Sequence, residues 1–252
     1  MASRITSLYK SFRKKRDLIL SLVFSSLMIL IGFIITNFFL IPNNELIEIL
    51  LVLFLLVFIV VLIFVREGLF SINMYLHFYR MIEENQPPFQ AIALPFESSF
   101  SNNLNKYEFT LGIQQPDYQI YYRLYRRLPW VERTQPSIVF VILSQTQGLA
   151  IDSMSLEADL TSIKDKLNQQ SPIQNELTLL IKKYDVFSDE VKEQTQKIIN
   201  FAYQNRAIVS IPCASFRDGR VYALRPKKLF PSKYYYVLIR LLYYLTEADE
   251  ML

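Results

Sequence analysis

Between Arg217 and Arg240, seven bases (Arg217, Arg220, Arg225, Lys227, Lys228, Lys233 and Arg240) stand against one acid, Asp218. Tyr222, Phe230, Tyr234, Tyr235 and Tyr236 are interleaved with them. Guanidinium and ammonium groups pair with phosphates, and aromatic rings stack on bases or settle at lipid headgroups. The stretch therefore admits three uses. Arg217, Arg220 and Arg225, with Tyr222, would hold a small anionic ligand such as a nucleotide. Lys227 and Lys228 would touch an anionic membrane surface. Otherwise the rings are core and the bases point to water. A smaller patch places Arg123, Arg126, Arg127 and Arg133 around Trp130.

A second candidate is "SQTQG", residues 144–148, which follows an apolar strand pattern and precedes a helix pattern. Ligand loops of α/β folds sit at such a junction. Ser144, Gln145 and Thr146 supply hydroxyl and amide groups for a polar ligand.

Other chemistries lack their parts. The five glycines, at 32, 68, 112, 148 and 219, are scattered, so neither a Walker loop nor a dinucleotide fingerprint exists. Cys213 is the only cysteine and His77 the only histidine, which excludes an intramolecular disulfide and a Cys/His zinc site within one chain. Cys213 has no nearby histidine in sequence to activate it, and a buried inert thiol is expected. The carboxylates from Asp152 to Glu193 alternate with lysines along amphipathic patterns and form no metal motif. No cofactor and no catalytic residue is assigned, and a non-enzymatic role is expected.

The elements that would position these groups begin with two apolar runs. Leu18 to Ile41 holds 24 residues without a charge, and Leu46 to Val65 holds 20 interrupted only by Glu48. At ~1.5 Å per residue each spans a ~30 Å hydrocarbon core. A signal peptide would carry a shorter apolar core and a cleavage site. Six bases (Arg4, Lys10, Arg13, Lys14, Lys15 and Arg16) precede the first run against one acid, Asp17. Arg66 follows the second run, and the segment from Pro42 to Glu48 has two glutamates and no base. By the positive-inside rule both termini face the cytoplasm, with Lys14, Lys15 and Arg16 at the membrane surface and Pro42-Asn43-Asn44 turning on the far side. The expected location is a bacterial plasma membrane or an organelle membrane.

From Arg66 to Leu252 there are 21 bases and 20 acids, so bulk charge argues against a nucleic-acid-binding domain. Asn73, His77, Arg80 and Glu84 fall on one helical stripe in otherwise apolar surroundings, so the second span continues as a connector helix to about residue 86. Its wide apolar sector asks for cover from the chain's own domain, a second copy or lipid. After Pro87-Pro88, strands are expected at 89–96, 106–113, 118–127 and 137–144. Three helices follow, on Leu156/Leu160/Ile163/Leu167, on Ile173/Leu177/Leu180/Ile181/Tyr184, and after a Ser188 cap on Val191/Ile198/Ile199/Ala202. Strands at 207–211 and 220–224, joined through an Asp218-Gly219 turn, and a helix capped by Ser232 complete the pattern.

The expected fold is a two-span α-helical membrane hairpin followed by a cytosolic α+β domain: a basic tail 1–17, two transmembrane helices over 18–65, a connector helix 66–86 and the domain 87–252. The expected function is a membrane-anchored binding or assembly protein, self-associating through the connector and engaging a protein partner or an anionic membrane. The alternative is a sensor-effector whose domain binds an anionic small ligand and rearranges the membrane helices.

Overall fold

A long charge-free run can satisfy its backbone polar groups only within itself, and the shortest way is a helix. In the computed structural model, which describes residues 2–40, 45–129, 131, 135–150, 152–169, 172–203, 206–227 and 230–248, both apolar runs do so. The turn Pro42-Asn43-Asn44, Trp130, Arg133 and Lys228 lie outside the described residues. The chain divides into two compact units, Met1–Arg80 and Met81–Leu252.

The first unit is helical. Helix α1 spans Ala2–Leu40 and α2 spans Glu45–Glu83, each of 39 residues and so about 58 Å long. Both are long and apolar enough to cross a membrane. The second runs unbroken through Gly68 into the expected connector. Part of the connector's cover comes from α1: Phe12 stacks on Tyr75 with ring centroids 5.2 Å apart, and Arg80 Nε donates to Tyr9 Oη at 3.3 Å. Contacts so near the open ends of two consecutive helices mean that they run antiparallel.

The second unit is a mixed α/β domain. In chain order its elements are β1 (Phe89–Gln90), α3 (Ser98–Lys106), β2 (Thr110–Gln114), β3 (Tyr118–Tyr125), β4 (Ser137–Ser144), α4 (Met154–Asn168), β5 (Asn175–Tyr184), α5 (Asp189–Thr195), β6 (Ile199–Tyr203), β7 (Arg206–Phe216), β8 (Arg220–Ala223) and α6 (Lys233–Thr246). One sheet runs β1-β8-β7-β5-β4-β3-β2, with β6 also paired to β7. The centre, β4, β5 and β7, is parallel, and the remaining pairs are antiparallel. Strand β7 has two partners on its outer side, β6 along Arg206–Ser210 and β8 along Cys213–Ser215. Pro212, which has no N–H to donate, falls at the changeover between them.

Alternation along the strands sorts the core into two faces. Ile138, Phe140 and Ile142 of β4 and Leu180 of β5 pack on Leu156, Leu160 and Ile163 of α4. Val139, on the other face, lines a cleft with Val237 and Leu241 of α6, which packs on β5, β7 and α3. Residues 137–144 are all buried, as expected for a strand covered on both sides.

Four expectations fail in whole or in part. The helix expected on Ile173/Leu177/Leu180/Ile181/Tyr184 is strand β5, whose two-sided burial makes Leu177–Ile181 a nearly solid apolar run that also matches helical spacing. The helix expected from Ser188 stops at Thr195, and Ile199–Tyr203 pairs with β7 as β6. The strand expected at 89–96 shrinks to Phe89–Gln90, and the Ser/Asn-rich segment behind it is α3. There Phe100 and Leu104, one turn apart, are fully buried, and Asn103 donates to Leu245 O at 3.1 Å. The strand expected at 106–113 begins only at Thr110.

The parallel centre is pinned where it starts. Asn175 is buried at the head of β5, its Nδ2 donating to Ser137 Oγ of β4 at 2.9 Å while its Oδ1 accepts from Ala207 N of β7 at 3.0 Å. One amide therefore ties three strands. Asn175→Ala strands the buried N–H of Ala207, whereas the Ser137 hydroxyl keeps its own bond to Gln135 O at 2.9 Å. A loss of about 1–3 kcal/mol is expected, measured by denaturant unfolding of the solubilised protein through its single tryptophan; an unchanged midpoint would show that Asn175 does not tie the strands.

Candidate functional site

Parallel strands bring their carboxyl ends together, and in open α/β sheets that edge is where crevices form. Here Ser144 of β4, Lys182 of β5 and Ala214 of β7 stand level in register. Between the segments that leave these ends lies a cleft of about 390 Å³. Gln147, Gly148, Ala150 and Asp152, on the way from β4 to α4, form one wall. Gln194 of α5 and Lys197, Ile198 and Ile199 behind it form another. Leu180, Lys182 and Pro212 make the floor.

Lys182 is the unusual member. It follows Leu180 along the face that packs on α4, so β-strand alternation sends its side chain inward, and it is only 8% exposed. An ammonium offers three donors. One goes to Gln147 O at 3.0 Å, and no carboxylate among the described residues pairs with it. Burial and, secondarily, the charge of Lys197 push its pKa below the usual lysine value. Tyr184 Oη donates to Gln194 Oε1 at 2.5 Å, which leaves the amide NH₂ of Gln194 as its donor end. Two ammonium groups and amide donors can hold an anion; a desolvated lysine beside a second cation is also an arrangement that makes an amine nucleophilic.

The residues singled out from sequence are distributed otherwise. Ser144 is buried, and its Oγ accepts from Thr146 N at 3.2 Å and lies 3.0 Å from Thr146 O. Thr146 Oγ1 donates to Asp117 Oδ1 at 3.3 Å. These hydroxyls thus shape the loop against the β2–β3 turn, Gln145 is exposed, and the next two residues, Gln147 and Gly148, line the cleft. Arg217 is exposed and paired with Asp185 at 2.7 Å. Arg220, also exposed, pairs with Asp218 at 2.6 Å, and its hydrogen bonds hold that carboxyl below the usual range. Between these two arginines Gly219 turns with φ +83°, a conformation that favours glycine.

Tyr222 and Arg225 are interior. Tyr222 Oη accepts from Asn85 Nδ2 at 2.6 Å, and burial pushes its hydroxyl up to about 12. Arg225 lies over the rings of Phe89 and Tyr243, 4.8 and 5.3 Å from their centroids. It donates to Tyr243 Oη and, at 2.9 Å, to Pro87 O, and burial brings its pKa down to about 10. The four do not converge on one cavity. Lys227 is exposed; in the first unit Lys14 and Lys15 are exposed, and Arg16 pairs with Asp17 at 2.8 Å.

A larger cleft of about 860 Å³ lies beside α6, where Leu128, Pro129, Val131, Val139, Val237 and Leu241 give an apolar lining. Its Arg123 already donates to Tyr107 O and Glu108 Oε2, each at 2.6 Å, and stacks on Tyr125. Its second guanidinium, Arg127, is exposed to water, so the strand-end cleft, with a buried lysine, holds the more unusual chemistry. Lys182 is hidden in the sequence because the doubly buried β5 also matches helical spacing, and Gln194 and Lys197 read there as the solvent side of the helix that Ser188 caps. The available signal was a lysine directly after the apolar run Leu179–Ile181.

Cys213 is buried, its Sγ 3.6 Å from Ile211 O, and burial pushes its thiol well above the ordinary range. Native protein should therefore leave an aromatic disulfide reagent unreduced until denaturant is added; rapid stoichiometric reaction of the folded chain would contradict this burial. Lys182→Met should raise the unfolding midpoint at pH 7. The folded pKa lies below the unfolded one, so the cost of burying the charge is complete below the folded pKa and fades as pH rises through it. The gap between variant and wild type should accordingly narrow towards pH 10, and a destabilised variant at pH 7 would show that Lys182 has a stabilising partner. Comparison with known proteins finds no matching family model, curated protein or solved structure, so the functional reading rests on the cleft's own chemistry.

Proposed function

We propose that this protein is a membrane-anchored binding protein whose α/β domain stands at the cytoplasmic face and receives a ligand in the strand-end cleft. The anchor reading is carried by one observation: over Leu18–Val65 the described helices turn large apolar side chains outward, with Phe24 63% and Phe64 71% exposed. An apolar surface that long is at home in hydrocarbon. The charge pattern supports the orientation. Lys10, Arg13, Lys14, Lys15 and Arg16 precede the first span and Arg66 follows the second, while Glu45 and Glu48 stand at the far end. Binding rather than catalysis is favoured because the cleft joins lysines and amides without a paired nucleophile and base.

A sensor reading, in which occupancy of the cleft is passed to α2, has an observation of its own. The chain enters the sheet domain through a fastened segment. Asn85 Oδ1 accepts from Arg225 N at 2.6 Å, Gln86 N donates to Arg225 O at 3.0 Å, and Ile92 N and Ala93 N donate to Thr246 O at 3.0 and 2.9 Å.

The anchor and its orientation are tested together by cysteine labelling in intact cells, with the buried Cys213 as a quiet background. In Asn43→Cys a membrane-impermeant maleimide should label the protein from outside. In Ser11→Cys it should label only after the membrane is opened. Release of the protein by alkaline carbonate, or the reverse labelling pattern, would overturn the proposal.

A further inference from the structure

The strand-end cleft contains a charge that the fold itself does not balance. A buried ammonium is costly unless it is paired, and globular proteins bury lysine almost only with a partner. Lys182 donates to a single carbonyl, and the charge that acts on it is another cation, Lys197. A structural lysine would be met by a carboxylate. Here Asp152 is the one carboxylate among the described residues of the lining; it is exposed and makes no ion pair with either lysine.

We propose that the cleft binds a phosphate monoester on a small organic body, with Lys182 and Lys197 supplying the two positive charges. A dianion matches two ammonium groups in number, and lysine serves phosphate as a compact point charge. Lys182 keeps two N–H donors beyond the one given to Gln147 O, and the amide of Gln194 adds a further donor. The organic body would lie on Leu180, Ile198 and Pro212. At about 390 Å³ the cleft is near the lower end of the ~300–1,000 Å³ range of small-molecule sites, which suits one small ligand and no polymer. Asp152 at the rim adds a cost for any anion placed beside it and an acceptor for a ligand hydroxyl. This inference rests on the reading of the cleft as the ligand site and is independent of the membrane anchor.

The same group could arrive on a free metabolite or on a lipid headgroup, so the test has two arms. Full-length protein is placed in nanodiscs of phosphatidylcholine and titrated calorimetrically with AMP, inorganic phosphate and adenosine. In parallel, discs containing phosphatidylinositol 4-phosphate are assayed by thermal shift. Saturable one-to-one binding of AMP, or specific stabilisation by the phosphoinositide, is expected. Lys197→Met, at an exposed position, should weaken it by at least about tenfold, the equivalent of one lost charged hydrogen bond. Lys182→Met should abolish it and Lys182→Arg should retain part of it. Adenosine binding as well as AMP would keep the ligand site and remove the phosphate. Absence of binding in both arms, or binding unchanged in Lys197→Met and Lys182→Met, would overturn the inference.

Discussion

The domain depends on β5 being flanked by parallel strands on both edges. Asn175–Lys182 pairs in register with β4 and Asn175–Tyr184 with β7, and parallel neighbours cannot be joined by a tight turn. The chain must leave the sheet after each strand and return along a face. It does so through α4 between β4 and β5, and through α5 and β6 between β5 and β7. That obligation buries the strands on both sides, with α4 over one face and α6 over the other. It also collects all three carboxyl ends at one edge, where the cleft lies. Asn175 secures the opposite edge with hydrogen bonds to β4 and β7. The cleft is a by-product of parallel order, and Lys182 is what makes it chemically distinctive.

How much of this was legible follows from how one-sided each element is. Helix α6 was readable because Ser232 caps it, accepting from Tyr235 N at 3.1 Å, and the Ser188 cap on α5 was equally plain, accepting from Val191 N at 3.3 Å. Strand β4 was readable through its serine ends and β-branched content. Strand β5 was not, because a strand buried on both faces loses its alternation, and leucine-rich runs fit a helix as well. Helix α3 hid for the opposite reason. Its serines and asparagines read as a loop, and only Phe100, Asn103 and Leu104 on its inner side belong to the core. The loop after β4 borders the cleft, but the hydroxyls that stand out in its sequence bend back on Asp117 and leave Gln147 and Gly148 to line the space. For the basic-aromatic stretch, sequence could not say which bases stay in water. Arg217 and Arg220 do, while Arg225 two residues beyond the end of β8 does not.

Two interior cations show how burial alone misleads about function. Arg225 and Lys182 are comparably buried, and both have pKa values lowered first by desolvation. Arg225 lies against two neighbouring aromatic rings and donates to a hydroxyl and a carbonyl, so its environment replaces most of what water gave it. Its backbone is held as well, by Asn85 on one side of the peptide and Gln86 on the other. Such a residue is part of the frame: it fastens the segment entering the domain to the end of the sheet. Lys182 receives one carbonyl and the repulsion of Lys197, with a cavity in place of further partners. The difference in satisfied donors, not in depth, separates a cation that completes the fold from one that the fold leaves open to a ligand. On that criterion the candidate site lies at the strand ends, and the arginines that looked most like a ligand site in sequence belong to the turn and to the frame.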